Sequence, residues 1–242
     1  MGELMKTENW IAEIKNGDFA QIIKEEMDDL GGITFEEVKV PSGGGLAFEV
    51  EGDEEPEMVK TLSGVIIHHH ATNAYWSSDY TGENAEPDCL STDGEIGVDR
   101  FTGEIRDCRK CEYNQYGSSG NGKACKNMQR IYFLREGEYF PIRITLPPTS
   151  IKALKNYIGS KKVVLSGKRS WQVLTEIKLQ KAQSSGGITY SQCVFSKIRN
   201  LEAEEALVMQ NMHESIKEQA KASNPHLGMI DVEISDDEVP FN

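Results

Sequence analysis

The sequence lacks the long apolar run that a membrane-spanning helix requires. Nowhere do its 242 residues approach the ~20 consecutive apolar residues of such a helix. The first residues, Met1 to Lys6, lead into a polar run and not into the apolar segment of a secretory signal. We therefore expect an intracellular protein, long enough for one medium domain with extensions or for two small domains.

Cysteine is scarce, and its distribution is uneven. Four of the five cysteines follow the spacing C-x18-C-x2-C-x13-C, at Cys89, Cys108, Cys111 and Cys125. In a reducing compartment such a cluster indicates a metal site more often than disulfides. Four thiolates would complete the shell that structural zinc favours, and one tight turn would supply the two ligands of the CxxC pair. Because a second CxxC pair is missing, free thiols or a redox pair remain the alternative.

Signatures of catalysis are also missing. Zinc deaminases need His-x-Glu followed by Pro-Cys-x-x-Cys, and the chain has no such pairing. An all-cysteine shell leaves no open position for a reacting water. Side chains of consecutive residues on a strand point to opposite faces, so His68, His69 and His70 cannot converge on one metal without a bulge. We predict a structural metal and no enzymatic activity.

Positive charge is scarce overall but concentrated in the middle of the chain. The whole sequence has 26 Lys and Arg against 39 Asp and Glu, a net charge of -13. By segment, the net charge is -12 over residues 1–58, +7 over 59–200 and -8 over 201–242. A basic middle between acidic ends predicts a polyanionic partner for the middle. The alternative is that the basic residues only solvate a surface.

The order of predicted elements indicates a mainly β protein with an OB-fold, a five-stranded Greek-key barrel. Periodicity and turn signals predict three strands, a helix and two strands, at 64–72, 130–134, 139–146, 149–158, 171–180 and 188–198. This fold commonly binds oligonucleotides along one face and through the loops after its first and fourth strands. The cysteine segment 89–125 occupies the first of these loops, and residues 183–187 occupy the second.

The same patterns divide the chain into four segments. The first, 1–58, is an acidic extension with a helix near 18–30 and a hairpin formed by strands 34–40 and 46–50. The barrel with its zinc-binding insertion covers 59–200. A C-terminal helix, 201–222, and a flexible acidic tail, 223–242, complete the chain.

Single-stranded nucleic acid requires cations for its phosphates and flat side chains for its bases, and both are interleaved in the basic middle. A single aromatic residue is more often part of a core than a stacking platform, which is the alternative for each of them. The residues that we predict to contact DNA are Tyr75, Trp76, Arg106, Arg109, Lys110, Tyr113, Tyr116, Lys123, Lys126, Arg130, Tyr132, Arg143, Lys168 and Arg169.

The last residues resemble the acidic tip of bacterial and bacteriophage single-stranded DNA-binding proteins. In that family, aspartates precede an aliphatic residue, proline and phenylalanine, and the tip docks replication and repair partners. The resemblance implies that the partner-binding residues are Asp236, Asp237, Glu238, Val239, Pro240 and Phe241. The family's phenylalanine is normally last, whereas Asn242 follows it here.

A second resemblance lies in the middle of the chain. The stretches 88–94, 122–126 and 146–150, together with the CxxC pair, resemble proteins of bacteriophages and integrated mobile elements that are thought to bind single-stranded DNA. We therefore expect a non-catalytic, largely sequence-independent single-stranded DNA-binding protein for replication or recombination, in the cytoplasm of a bacterial host. The alternative is a zinc-containing adaptor that binds a polymerase or recombinase.

Overall fold

The computed structural model describes residues 10–11, 14, 34–41, 43–52, 54–78, 86–184 and 186–222. The protein is mainly β, with two α-helices among the elements bounded in this part of the chain. The strands are β1 (Glu37–Lys39), β2 (Phe48–Val50), β3 (Glu57–Val59), β4 (Thr61–Tyr75), β5 (Cys89–Ser91), β6 (Ile96–Asp99), β7 (Ile105–Asp107), β8 (Lys126–Arg135), β9 (Ile142–Leu146), β10 (Val173–Gln183) and β11 (Thr189–Asn200). The helices are α1 (Pro148–Ile158) and α2 (Ala203–Ala222).

Strand β4 is the centre of a mixed nine-stranded sheet. One edge of β4 pairs with β8 over most of its length, from Gly64 to Ala74. The other edge is shared, because β10 pairs with its first residues, Thr61 to Val65, and β5 pairs with its last, Asn73 to Tyr75. These pairings are antiparallel, and the one parallel pairing recorded for the sheet joins β1 to β9.

The predicted core strands are present, but they do not form a closed barrel. Strands β4, β8, β9, β10 and β11 correspond to the five predicted strands, and they lie in the order β9-β8-β4-β10-β11. Closure would require a pairing between the two ends of this order, β9 and β11. The sheet is open there among the described residues, because β9 pairs with β1 on that edge instead.

Apolar side chains cover both faces of this sheet because residues in a strand alternate between faces. On one face, Ile131 and Phe133 of β8 pack with Leu154 and Tyr157 of α1. On the other face, Tyr132 and Leu134 belong to a cluster that contains residues of α2 and of the N-terminal segment. The members of that second cluster from outside the sheet are Trp10, Ile11, Ile14, Phe35, Leu201, Met209, Ile216 and Ala220.

The predicted hairpin of the N-terminal extension is wrong in its pairing. Both strands form, but β1 pairs in parallel with β9, and β2 pairs antiparallel with β3. The short segment after Val50 therefore leads into a β2-β3 hairpin, in which Val50 pairs with Glu57. The physical reason is that Val38, Phe48 and Val50 are buried in the core of the main sheet, which outweighs pairing with a sequence neighbour. The helix predicted at 18–30 lies outside the described residues.

The cysteine segment has more regular structure than the predicted loop. Strands β5, β6 and β7 form an antiparallel meander that extends the sheet from the end of β4. A 3-10 helical turn at Glu112–Asn114 then leads toward β8. Within the described ranges, no helix is long and apolar enough to cross a membrane.

Gly64 marks the closest approach of β4 to β8, and it provides a test of this sheet. A Cβ atom at this position would lie 2.1 Å from the carbonyl oxygen of Leu134. We expect Gly64→Ala to lower the free energy of unfolding by about 3 kcal/mol, because the backbone of β8 must shift to accommodate the methyl group. Urea unfolding measures the change. The neighbouring Ser63→Ala is the matched control, with an expected change below about 1 kcal/mol, and equal stabilities would contradict the close approach.

Candidate nucleic-acid interface and cysteine cluster

The meander and the turn that follows it bring the four predicted cysteine ligands together. Cys89 opens β5, where it pairs with Tyr75 of β4 and with Asp99 of β6. Cys108 follows β7 directly, and Cys111 precedes the 3-10 helical turn. Cys125 lies immediately before β8, and its amide donates a hydrogen bond to the carbonyl oxygen of Tyr113 at 2.8 Å. All four side chains line one cavity.

Gly97, which the sequence did not single out, borders this cavity. A Cβ atom on Gly97 would lie 2.9 Å from the Sγ atom of Cys89 and 3.5 Å from the Sγ atom of Cys108. Strand β6 therefore passes against the thiols because it carries no side chain there. A glycine in a strand often marks such a close approach, but only the fold shows what approaches it.

The cavity disfavours thiolates that have no counter-charge. Burial, followed by the neighbouring Cys108 thiol, raises the pKa of Cys89 to about 11. The same causes raise the pKa of Cys125 to about 12. Among the described residues, no three or more His, Cys, Asp or Glu side chains form a finished metal-binding group. Zinc therefore stays a prediction, supported by four convergent thiols whose ionisation a divalent cation would favour.

A buried amide network fastens the cysteine segment to β4 and β8. Asn127 of β8 donates from Nδ2 to Oδ1 of Asn73 at 2.6 Å and to Oδ1 of Asn114 at 3.0 Å. Asn114 in turn donates to the carbonyl oxygen of Cys108 at 2.7 Å. Lys123 donates from Nζ to both Asn114 and Asn127. These asparagines carried no recognisable signal in the sequence, because each is an ordinary loop or strand-end residue until the fold joins them.

Two of the predicted aromatic residues stack on each other above the cysteines. The rings of Tyr75 and Tyr113 lie 4.2 Å apart with an interplanar angle of 13°, and both side chains are partly exposed. Tyr116 is 64% exposed, with the Lys123 ammonium 5.2 Å from its ring centroid. Trp76 is partly buried and packs against the small apolar cluster of Ala74, Leu90 and Met128. Among the aromatic residues predicted to contact DNA, Tyr116 is therefore exposed, and the stacked pair is partly exposed beside the cysteines.

The predicted cations of the insertion are accessible, but local carboxylates accompany them. Arg109 pairs with Glu95 at 2.8 Å, and Lys110 lies 3.5 Å from Asp107. Arg106 donates to Glu104 and lies 5.6 Å from the ring of Tyr113. Arg109 and Lys110 are 72% and 86% exposed, and exposed ion pairs contribute only about 0 to 1 kcal/mol. Such pairs can yield to phosphates at little cost.

Five of the predicted DNA-contacting residues do not lie on this surface. Three of them, Arg130, Tyr132 and Arg143, are buried beneath other parts of the chain. Strand alternation predicts which face a side chain occupies, but it does not show whether that face is covered. Lys168 and Arg169 lie just before β10, which pairs with the first residues of β4, up to Val65. The cysteine segment joins β4 at Asn73, eight residues further along the strand. Eight strand residues span about 26 Å. Lys126 is partly exposed at the start of β8.

The three consecutive histidines are rearranged by a β-bulge. The register between β4 and β8 shifts between Ile66 and His68, so His68 faces the same side as Tyr132 and α2. Its ring lies 5.7 Å from that of His70 and 5.3 Å from that of His213. Burial, followed by the neighbouring His70, His213, His69 and Lys217, lowers the pKa of His68 to about 3.

Comparisons of the chain with protein-family models, with curated proteins and with solved structures found no match. The residues of the acidic tip, 236–241, lie outside the described part of the chain. The geometry described above is therefore the basis for inferring function.

The lowered pKa of His68 predicts a loss of stability in acid. The group titrates near 6.5 when unfolded and near 3 when folded, so the unfolded chain binds more protons as the pH falls below 6.5. The stability that neutral His68 contributes is complete above pH 6.5 and is lost as the pH falls toward 3. We expect at most about 1.4 kcal/mol per pH unit from this group, reduced by solvent screening. Urea unfolding at several pH values measures the slope; an unchanged slope in His68→Gln would contradict the assignment.

Proposed function

We propose that this protein binds single-stranded DNA without catalysis and largely independently of sequence, in the replication or recombination of a phage or mobile element. The observation that carries the proposal is the surface formed by Tyr75, Tyr113, Tyr116, Arg109 and Lys110 at the end of β4. It combines flat rings with exposed cations, the two features that sequence-tolerant binding of single strands requires.

The strand order supports an open OB-type arrangement. In the order β9-β8-β4-β10-β11, with α1 between β9 and β10, the cysteine segment lies between the first and second strands of the fold. This fold binds oligonucleotides through that loop and along the second and third strands. The proposed surface therefore occupies a location that suits the proposed ligand.

Zinc has a structural role in this proposal. The residues that would hold it are Cys89, Cys108, Cys111 and Cys125, which already line one cavity. When bound, the metal would supply the positive charge that lets buried thiolates replace thiols. The chain itself then fixes the CxxC turn, and with it Arg109, Lys110 and Tyr113, relative to β4. Recruitment of replication proteins through residues 236–241, as the tail resemblance implies, is part of the same proposal.

A second candidate function, a zinc-containing adaptor for a polymerase or recombinase, is favoured by an exposed apolar patch. Ile96 and Ile105 of the meander are 53% and 73% exposed, and Phe101 between them is 71% exposed. Exposed apolar side chains at the edge of a sheet are typical of a protein-binding site. The two functions differ in their ligand: an adaptor would bind its protein partner with an affinity that single-stranded DNA does not change.

A salt series tests DNA binding. We expect a labelled oligonucleotide to bind tightly at low salt, and the logarithm of the affinity to fall linearly with that of the salt concentration. Lys110→Ala should make this slope shallower by about 0.7, the contribution of one phosphate on a single strand. Lys152→Ala, an exposed lysine on α1, is the matched control and should leave the slope unchanged. The absence of binding at low salt would refute the proposed function.

Metal analysis tests the cysteine cluster. We expect about one zinc per chain and its loss in Cys111→Ser, because four thiolates form the shell. The variant should bind the oligonucleotide more weakly while circular dichroism still shows the strands, because only the insertion loses its order. Cys193→Ala, which removes a buried thiol of the main core, should keep its zinc. Equal metal content in the two variants would contradict the assignment.

A further inference from the structure

The face of β8 and β9 that includes Tyr132 also carries two arginines, and other parts of the chain cover all three side chains. Tyr132 pairs with Arg143 in the register of these two strands, and Arg130 lies two residues before Tyr132 on the same face. Their exposed fractions are 3% for Arg130, 0% for Tyr132 and 6% for Arg143. Part of the cover is residues 34–39, which we name the strap and which include β1.

Phe35 of the strap occupies a position among aromatic rings that a base could take. Its ring stacks on that of Phe140, with centroids 5.1 Å apart and an interplanar angle of 21°. It meets the ring of Tyr132 edge-on, with centroids 4.8 Å apart and an interplanar angle of 72°. The guanidinium carbon of Arg143 lies 6.0 Å from the same ring. Proteins that bind single strands surround a base with aromatic rings and arginine in this way.

Glu37 of the strap lies where a phosphate would bind. The parallel pairing of β1 with β9 places Glu37 opposite Arg143, and the carboxylate forms a charge-assisted hydrogen bond and ion pair with that guanidinium. Burial raises the pKa of Glu37, while Arg143 and Arg130 act in the opposite direction. Carboxylate and phosphate oxygens are interchangeable partners for arginine.

Arg130 has no anion bound directly to it. Its buried Nε atom has no hydrogen-bond partner, and within the described residues no carboxylate forms an ion pair with it. Glu37 is near enough to act on the charge of Arg130, but its ion pair is with Arg143. The cluster thus has two buried arginines that share one carboxylate, and a buried charge with so little direct compensation is difficult to explain by stability alone.

The strap is held by few backbone contacts. Strand β1 has three residues, it is parallel to its partner, and it lies at the end of the sheet order. The amide of Arg143 donates to the carbonyl oxygen of Glu36 at 2.8 Å, and Val38 anchors the opposite face in the core. Short edge pairings open more readily than central ones, so a ligand of sufficient charge can displace this strand.

We propose that the strap is an internal mimic of single-stranded nucleic acid, which bound nucleic acid displaces to reach Arg130, Tyr132 and Arg143. Phe35 takes the place of a base, Glu37 takes the place of a phosphate, and Arg130 receives a second phosphate only in the open state. This inference rests on the proposed function, because it assigns a second, covered part of the same binding surface and a means of controlling access to it.

Removal of the strap's charge tests the mimicry. We expect Glu37→Gln to bind the oligonucleotide about tenfold more tightly than the wild type, because the competing anion is gone. The salt slope should change by less than about 0.7, the contribution of one phosphate, because nucleic acid reaches the same two arginines in both proteins. Glu49→Gln, an exposed carboxylate on β2 with the same change of charge, should leave both unchanged. An unchanged or weaker affinity in Glu37→Gln would overturn the inference.

Arg130 offers a test in which stability and binding change in different directions. Arg130→Met should keep or raise the unfolding midpoint, because it removes a buried charge that has no direct ion-pair partner, yet it should abolish the gain in affinity when combined with Glu37→Gln. Arg135→Met, on the opposite face of the same strand, should leave the affinity gain of Glu37→Gln intact. A loss of stability in Arg130→Met, with the affinity gain intact, would show a structural arginine and overturn the inference.

Hydrogen exchange follows the strap directly. Added oligonucleotide should reduce protection of the Arg143 amide, and unchanged or greater protection with DNA bound would overturn the strap while leaving the proposed function intact. If neither the wild type nor Glu37→Gln binds DNA at low salt, the strap inference and the proposed function both fail. A polyglutamate peptide serves as the comparison ligand. If it exposes the Arg143 amide as effectively as the oligonucleotide does, the covered face binds an acidic protein partner, and the inference is overturned.

Discussion

The pairing of β4 along both its edges is the constraint on which the rest of the structure depends. Fifteen consecutive residues form this strand, and β8, β10 and β5 all take their positions from it. Because the side-chain period of a strand is two, one register sets which residues of β8 face α1 and which face α2. The bulge before His68 is the one shift in this register. It places His68 and His70 on the face of Tyr132, while His69 lies on the opposite face.

The far end of β4 supports the cysteine segment, which has little apolar core of its own. Among the residues that the structure describes there, only Ala74, Leu90 and Met128 form a buried cluster, with Trp76 packed against it. Hydrogen bonds among Asn73, Asn114 and Asn127 supply part of the missing cohesion, and the four thiols mark where a metal would supply the remainder. A rigid insertion matters for the proposed function because the rings and cations that it presents must hold their spacing to follow a nucleic-acid strand.

Burial separates the basic residues of the middle segment into two populations. Arg109 and Lys110 are exposed, so their ion pairs with neighbouring carboxylates are weak and exchangeable. Arg130 and Arg143 are buried, and there an unmatched charge has a large effect on stability. Glu37 of the strap forms an ion pair with Arg143 and, within the described residues, none with Arg130. Charge counting along the chain would treat all four as equivalent, although their surroundings give them different energies and different access to a ligand.

The sequence by itself determined the five core strands, the strands β1 and β2, two helices close to 148–158 and 203–222, and the grouping of four cysteines, because hydrophobic periodicity and ligand spacing are local properties. It missed the short strands β3, β5, β6 and β7. It did not determine that β1 would pair with β9, that the barrel would stay open, or that Arg130, Tyr132 and Arg143 would be covered. Gly97, Asn73, Asn114 and Asn127 joined the site only in the folded chain. The physical reason is that burial and partner choice depend on contacts between residues distant in sequence, such as Glu37 and Arg143, which are 106 positions apart. No local pattern encodes such contacts.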